Sequence, residues 1–501
     1  MKRLGVIDIG SNSVRLVICE ITEAGTFKII DDLKESLRLG EDVEDLGVIG
    51  EEKIHNTLST LKTFKVLCDT LKVDDILAVA TEALRKAENS LSFIEKIKDY
   101  TGISIRVLSG EEEARYDASA VMHSMYTSNS IIVDIGGAST ELVWVYNNKI
   151  MEFISLPFGS VNLTKRYNLG DIITTDNEES LKSFLINSFK KVPWLFKANF
   201  DNMIIVGGSA RNIGKIDRKV KRYPLDISHN YILNDYDLQD IYHMVKSKNL
   251  KQRKKIEGLS KDRADIFVAS ATVLYTLTDM LKIKEIKVSG KGLREGLIYE
   301  YMYQKPNSEE DILDFSIKGI LKSHNINESH AENVYNISLK LFSYLKDLHE
   351  LDDSFINIIK TAAYLHDAGI SIRYYDHHKH SFYIILNSEI NGLTHKELVM
   401  SAYIAAFHRN NDFDVNLCQF SGIINKLDLI NIKKIGVLLK IAESLDRSMT
   451  GSVKDFQCNI NEETVDIKII ADKEMALELN DAAKSAGKFK EIYNKELNIY
   501  M

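Results

Sequence analysis

VDIGGASTELV (133–143) is an apolar strand that ends on an aspartate, turns through two glycines and resumes at once. VIDIGSNSVRLVI (6–18) has the same order: apolar residues, Asp–Ile–Gly, small polar residues, then an apolar run. The copies lie about one small domain apart, so the repeat implies a duplicated domain. Such a strand end offers two things to a phosphate. The aspartate at the tip can hold Mg²⁺, directly or through water. The Gly/Ser turn aims backbone N–H groups outward, and its small side chains let phosphate oxygens come close. One strand-end glycine turn is more often only a hairpin. Two facing duplicates place two phosphate-gripping turns across one cleft.

Around these hairpins, the first ~300 residues alternate β-rich runs with amphipathic segments, the pattern of α/β layering. DILAVATEALRKA reads as a strand (76–80) running into a helix. ISIRVLSGEEEARYDASAVM reads as a strand (103–108), a turn at Ser109–Gly110 and a helix from Glu111. MIIVGGSARNIG (203–214) reads as a strand stopped by two glycines, and EIKVSGKGLREGLIYEYM (285–302) as strand, glycine turn and helix. After Pro306 and an acidic cluster the texture changes, which puts a boundary near 304–310. Residues 308–450 are helical in period. In 451–501, TVDIKIIAD reads as a strand followed by a Lys/Ala-rich helix. The expected domains are 1–125, 126–304, 305–450 and 451–501.

The chain has 501 residues, 45% hydrophobic and 27% charged, enough to build ordinary buried cores. No apolar run approaches the ~20 residues that span a bilayer, and Asp8 interrupts the N-terminal apolar stretch too early for a signal peptide. Cys19, Cys68, Cys418 and Cys458 form no CxxC pair, so free thiols in a reducing cytoplasm are expected. The net charge of −8 argues against general nucleic-acid binding. Residues 246–263 nevertheless hold eight Lys/Arg against two acids, and 210–224 hold six against one. Single runs of this kind are usually solvated helix faces; two in one region of an acidic chain could make a surface for a polyanion.

IDIGSNS, DIGGASTEL and the later glycine strands resemble the motifs of the actin/hexokinase/heat-shock-chaperone superfamily. The series DIGSNSVRL, ATEALRKAEN, SGEEEAR, DIGGASTEL, LPFGSVNLTKRY, RADI and SGKGLREGLIYE resembles the exopolyphosphatase/guanosine pentaphosphatase family, densely over residues 1–303. The helical block and tail resemble that family's long members. The implied fold is α/β: two actin-like (ribonuclease H-like) domains facing a cleft, an all-α HD-like domain and a small C-terminal α+β appendage. The family often has three glycines after the second Asp–Ile; here the third is Ala138, which disfavours φ > 0.

Phosphoanhydride hydrolysis needs a metal, charge neutralisation and a positioned water. Asp134 is the leading Mg²⁺ ligand candidate, with Glu141 seven residues on across the hairpin and Asp8 as its counterpart in the first repeat. A solvated strand residue is the alternative for Glu141. Three glutamates at a helix start usually complement the helix dipole and cap it, which suits Glu111 and Glu112. The family motif places the water-activating carboxylate immediately before Ala–Arg, at Glu113. The resemblance puts Arg15 and Arg85 among the phosphate contacts, although either could be a surface arginine. Ser11, Asn12 and Ser13, with Gly136, Gly137, Ser139 and Thr140, could bind phosphate from the two sides. Gly207, Gly208 and Ser209 occupy the superfamily's nucleoside position.

Residues 308–450 contain nine of the thirteen histidines. The order His330 … His366–Asp367 … Asp446 resembles HD-type metal-dependent phosphohydrolases, and imidazole with carboxylate suits a divalent transition metal. His377, His378 and His380 fall in a loop-like RYYDHHKHS, His380 being the one expected to turn inward. The block could also be scaffold.

The resemblance therefore implies an Mg²⁺-dependent cytoplasmic exopolyphosphatase acting on inorganic polyphosphate, expected to be a homodimer, with no membrane or nucleic-acid partner. Hydrolysis of guanosine pentaphosphate to the tetraphosphate is the alternative, and a stringent-response role goes with it. A sugar or acid kinase, or a non-catalytic polyphosphate or alarmone sensor, would have no use for a water-activating carboxylate at Glu113.

Overall fold

β1 (Lys2–Ile9) and β2 (Val14–Ile21) form the first hairpin, extended by the antiparallel β3 (Phe27–Glu35). The computed structural model describes residues 1–22, 25–303, 311–409 and 417–501, without the side chains of 417 and 418. It divides into two compact units, 1–309 and 310–501. The boundary expected near 304–310 lies outside the described residues.

In the first unit, α1 (Leu39–Leu46) follows β3, and β4 (Asp75–Ala80) and β5 (Ile105–Val107) complete a sheet of order β3-β2-β1-β4-β5. The second half repeats the plan. β6 (Asn129–Ile135), β7 (Thr140–Tyr146) and β8 (Lys149–Leu156) form the antiparallel part. β9 (Asn202–Val206), β10 (Tyr231–Asn234) and β11 (Glu285–Val288) complete the order β10-β11-β9-β6-β7-β8. The β1–β4–β5 and β6–β9–β11 pairings are both parallel. Apart from the extra edge strand β10, one sheet is the other written again.

Both sheets are covered on both faces, so their central strands are apolar at nearly every position. In β1, Ile7 and Ile9 enter one core and Leu4 and Val6 the other; in β6, Ile131, Val133 and Ile135 face away from Ile132. The coverage crosses over. α2 (Gly110–Met122), from the first half, packs Ala114, Ala118 and Val121 against Ile132 and Val143 of the second sheet. α5 (Leu293–Met302), from the end of the second half, packs Leu297 and Ile298 against Leu4 and Val6 of the first. The helices touch at Gly296, where a Cβ would lie 2.2 Å from the Tyr116 carbonyl oxygen. Between them come α3 (Ser160–Arg166) and α4 (Gly207–Val220).

Two local expectations need correcting. The strand expected at 103–108 is only Ile105–Val107, and Gly110 is already helical behind the Ser109 cap. The strand expected to stop at Gly207 and Gly208 does end at Val206, and the two glycines open α4 directly.

The second unit contains α6 (Ile312–Ser323), α7 (Glu328–Tyr344), α8 (Ile356–Leu365), α9 (His377–Asn387), α10 (His395–Phe407) and α11 (Lys426–Leu445). RYYDHHKHS is therefore not all loop: His377 begins α9. The tail holds two strands more than the one expected. β12 (Val453–Ile460), β13 (Thr464–Ala471) and β14 (Glu496–Tyr500) form one sheet, with helices Ala476–Ala483 and Ala486–Tyr493 before the last strand. Among the described residues no helix is long and apolar enough to cross a membrane.

Candidate active site

The tips of β1 and β6 bring Asp8 and Asp134 to one polar cleft of about 150 Å³. The antiparallel register sets Asp8 opposite Arg15 and Asp134 opposite Glu141. Directly opposed residues share a face, with Cβ atoms about 5 Å apart.

The two turns are built alike. Gly10 N–H donates to Ser13 O at 3.0 Å, and Gly136 N–H to Ser139 O at 3.0 Å. Their carbonyls are tied down by the segment that follows the third strand of each repeat. Gly40 N–H donates to Ser11 O (2.8 Å) and Arg38 N–H to Asn12 O (3.0 Å); Ser160 N–H donates to Gly136 O (2.9 Å) and Val161 N–H to Gly137 O (2.7 Å). The turns face each other closely, since a Cβ on Gly137 would lie 2.7 Å from Ser11 Cβ. Ala138 is not in the left-handed region, so alanine in place of the family's third glycine brings no backbone strain.

α4 supplies another wall. Gly207 has φ +84°, and a Cβ there would lie 2.2 Å from Asp134 Oδ1. A Cβ on Gly208 would lie 2.3 Å from the Arg263 guanidinium carbon. The backbone that opens α4 thus lies directly on an acid and a base of the cleft.

α2 supplies two further buried acids. Ser109 Oγ accepts from Glu112 N–H at 3.2 Å and Glu112 Oε2 accepts from Ser109 N–H at 2.8 Å, a capping box. The next residue, turned about 100°, is Glu113, buried and facing the cleft. One helical turn later Asp117 lies on the same face, also buried. Glu141 is buried as well and accepts from Ser155 Oγ at 2.8 Å.

Burial pushes the Asp8, Asp117, Asp134 and Glu141 carboxyls above the usual range; their acidic neighbours add to this, while Arg15 and Arg294 oppose it at Asp8 and Arg211 and Arg263 at Asp134. Glu113 is pushed up to about 8, first by burial, with Arg85 pulling the other way and Asp8 and Asp134 adding to the rise. Burial and the nearby Arg211 and Arg294 push Arg15 down to about 10. The cleft holds like charges of both signs in close quarters, ready to be compensated by a polyvalent ligand.

Of the residues expected from sequence, Asp8, Ser11, Asn12, Ser13, Arg15, Glu113, Asp134, Gly136, Gly137, Ser139, Glu141, Gly207 and Gly208 line this cleft. Three expected phosphate contacts are occupied elsewhere. Thr140 is fully buried and donates to Phe158 O at 2.6 Å. Ser209 is buried with its Oγ on Ser270 Oγ at 2.8 Å. Arg85 donates to Glu113, Glu82 and the Leu108 carbonyl. The cleft also contains Glu82, Asp117, Arg211, Arg263, Lys291, Arg294 and Glu295, which had not been singled out. Most had a signal. Arg263 opens RADI, Lys291 and Arg294 lie in SGKGLREG, and Asp117 is four residues after Glu113.

The basic runs are not simply solvated faces. Arg211 and Arg263 line the cleft, Arg218 is buried, and Arg253 is completely buried. Arg253 donates to the carbonyls of Leu169 (3.3 Å), Ala264 (3.0 Å), Gly170 (3.0 Å) and Asp171. Lys251, Lys254 and Lys255 remain exposed. The planar guanidinium satisfies several carbonyls at once, which the ammonium cannot do in one plane.

In the second unit His330, His366 and Asp367 come together. Asp446 does not join them as a further ligand: its Oδ2 accepts from His330 Nδ1 at 2.8 Å. His377 and His408 meet Asp367 instead. His377 and His378 are buried and His380 is the more exposed, the reverse of the expected order, because α9 starts at His377 and turns its first two residues inward.

The model of the Ppx/GppA phosphatase family matches residues 17–305, and that of the Ppx/GppA phosphatase domain III matches 312–484. The chain is 28% identical over 452 residues to a guanosine-5'-triphosphate,3'-diphosphate pyrophosphatase of Pseudoalteromonas atlantica, covering 87% of this chain and 86% of that one. A solved Ppx/GppA family member of Aquifex aeolicus is 31% identical, with a TM-score of 0.54, covering 61% of this chain and 99% of that one. An exopolyphosphatase of Cytophaga hutchinsonii is 25% identical, with a TM-score of 0.58, covering 61% and 100%.

Proposed function

Because the chain belongs to the Ppx/GppA phosphatase family, we propose that its cleft hydrolyses the terminal phosphoanhydride of a phosphate chain with Mg²⁺, releasing orthophosphate from inorganic polyphosphate. The observation that carries this is the pairing of Glu113 with Arg85 in a cleft where Asp8 and Asp134 stand at the tips of the two duplicated turns.

Asp8, Asp117, Asp134 and Glu141 offer only oxygen donors, the set that a hard cation takes. Asp117 Oδ1 is buried without a hydrogen-bond partner, which suits a carboxylate facing an ion. Mg²⁺ bound among them would neutralise phosphoryl oxygens and acidify a water. The chain's own groups do the rest. Arg15, Arg211 and Arg263 present guanidinium forks to the terminal phosphate oxygens. The Gly10–Ser13 and Gly136–Ser139 turns hold neighbouring phosphates from both sides. Glu113, ionised, takes the proton of the attacking water, and Arg85 keeps its carboxylate aimed and favours the ionised form.

Guanosine pentaphosphate is the second reading, supported by the name borne by relatives that this chain matches over most of their length. Both substrates end in the same anhydride. The test is phosphate release from each substrate by purified protein with Mg²⁺ and with chelator. Metal-dependent release from polyphosphate at the higher kcat/KM is expected. Release from neither substrate would overturn the proposal, and a strong preference for guanosine pentaphosphate would reverse the order of the two readings.

A further inference from the structure

Arg38 ties the two halves of the first unit together beside the cleft. Its guanidinium donates to Asp265 Oδ2 at 2.7 Å and Oδ1 at 3.3 Å, and to the Asp262 carbonyl at 2.8 Å. It also meets Glu41 Oε1 of α1 at 3.0 Å. Asp262 and Asp265 lie on either side of Arg263, so one fork grips the segment that carries that residue. Lys34, near the end of β3, and Ser36 reach the same segment. Both donate to Asp262 Oδ2, Ser36 Oγ at 3.3 Å.

The main chain of Arg38 serves the opposite wall. Its N–H donates to Asn12 O at 3.0 Å, within the first glycine turn, and its carbonyl accepts from Lys53 Nζ at 2.5 Å. One residue therefore holds the Ser11–Ser13 turn through its backbone and the Arg263 segment through its side chain.

Two features show that this position requires the side chain. Arg38 has φ +53°, a left-handed shape that glycine takes without steric cost; an arginine there is strained, and its surroundings must hold it. The ion pair is 30% exposed at Arg38 and 25% at Asp265, and pairs so open to solvent contribute little to stability. A bidentate fork fixes direction as well as distance, and what it fixes here is the segment around Arg263.

Arg263 depends on that support. Its guanidinium lines the cleft and lies against the backbone of Gly208. Among the described residues, no carboxylate or carbonyl accepts a hydrogen bond from it. Its donors are kept for a ligand, and its aim comes from packing and from the residues that flank it.

We propose that Arg38 is a positioning residue that acts through Arg263, setting the distance between that guanidinium and the first glycine turn so that both grip one phosphate chain. The inference rests on the reading of the cleft as a site of phosphoanhydride hydrolysis.

The test is a double-mutant cycle on the full chain with two readouts. One is kcat/KM for phosphate release from polyphosphate with Mg²⁺. The other is the Kd of inorganic tripolyphosphate with Mg²⁺, measured by calorimetry on a Glu113→Gln background. Arg38→Met should lower kcat/KM about 10- to 100-fold and raise the Kd. Asp265→Asn should do the same more weakly, and adding it to Arg38→Met should bring no further loss. Arg38→Lys keeps the charge without the fork and should restore little. In an Arg263→Met background, Arg38→Met should change neither readout.

An Arg38→Met loss of equal size with and without Arg263 overturns the proposal, because Arg38 would then act on the fold or on the glycine turn alone. So does an Arg38→Met protein that binds and turns over like wild type, or a Kd that Arg263→Met leaves unmoved. If Arg38→Met does not fold, the cycle of Asp265→Asn with Arg263→Met is read by the same criteria. A protein that binds tripolyphosphate but releases phosphate from no substrate overturns the hydrolytic reading, and the cycle on Kd still decides the inference. A protein that binds none overturns both.

Discussion

Arg85 Nη2 donates to Glu113 Oε2 across 3.0 Å, joining the short helix after β4 to the first turn of α2. The guanidinium is also spent on Glu82 and on the Leu108 carbonyl. It cannot swing towards a phosphate without releasing the carboxylate it holds, so its role in the proposed reaction is to set the aim and the charge of Glu113.

Glu113→Gln should lower turnover by roughly 10²–10⁴-fold while polyphosphate still binds. Glu112→Gln keeps a capping side chain and should leave turnover near wild type, as should Glu111→Gln. Steady-state kinetics of the three variants decide this; equal losses would reduce the glutamates to helix-start residues.

The pH profile follows from the raised Glu113 carboxyl. Below about 8 the group is protonated in the free protein and takes no proton, so kcat/KM should rise with pH towards that value. A cation held by Asp134 and Glu141 pulls in the same direction as Arg85, so the limb should fall as Mg²⁺ approaches saturation. Arg85→Met removes one pull and should move the limb upward, slowing turnover at pH 7. An unmoved limb in that variant would separate Arg85 from the base.

Asp117→Asn should stabilise the metal-free protein. The acids Asp8, Asp117, Asp134 and Glu141 are all raised in the fold, so the folded state binds protons more tightly than the unfolded chain. Their contribution to stability is therefore fully present below about pH 4 and is lost as pH rises through the raised values. Removing one acid should raise Tm by a few degrees at pH 8, on the order of 1 kcal/mol, and by less at pH 5. Melting curves at both values check it; a drop at both would make Asp117 an ordinary hydrogen-bonded residue.

Asp134→Asn and Glu141→Gln should each raise the Mg²⁺ concentration needed for half-maximal activity, because each removes a charge beside the proposed ion. Wild-type activity of either variant at limiting Mg²⁺ would exclude that residue as a ligand.

Lys251, Lys254 and Lys255 changed together to Glu should impair long polyphosphate more than short chains, an effect that shrinks in high salt. KM against chain length measures it, and a uniform loss would count against a surface for the remote chain. Arg253 must be left out of that set. Arg253→Ala strips donors from buried carbonyls and should cost about 3 kcal/mol or more of stability, seen in denaturant unfolding without any dependence on chain length.

The duplicated hairpins, the α/β layering and the helical second unit were legible in the sequence because they are local. Period, strand-end Asp–Ile–Gly and a Ser–x–x–Glu cap are each written within a dozen residues. That only one of Glu111, Glu112 and Glu113 can face a cleft was legible for the same reason, since a helix turns successive residues about 100° apart; that it is Glu113 was implied by the family motif.

Only the tertiary structure decided where side chains of equal chemistry were spent. Thr140 and Ser209 sit beside cleft residues in sequence, yet their hydroxyls close on Phe158 O and Ser270. Arg253 and Lys254 are neighbours in one basic run, yet one is wholly buried and the other exposed. Asp446 was expected beside His366 and Asp367, yet its carboxylate closes on His330, while His377 and His408, which meet Asp367, come from helices far apart in the chain. A sequence lists donors and acceptors and places them along one element. Burial and the nearest partner are set by packing between elements, and a buried polar group must take whichever partner that packing brings within about 3 Å.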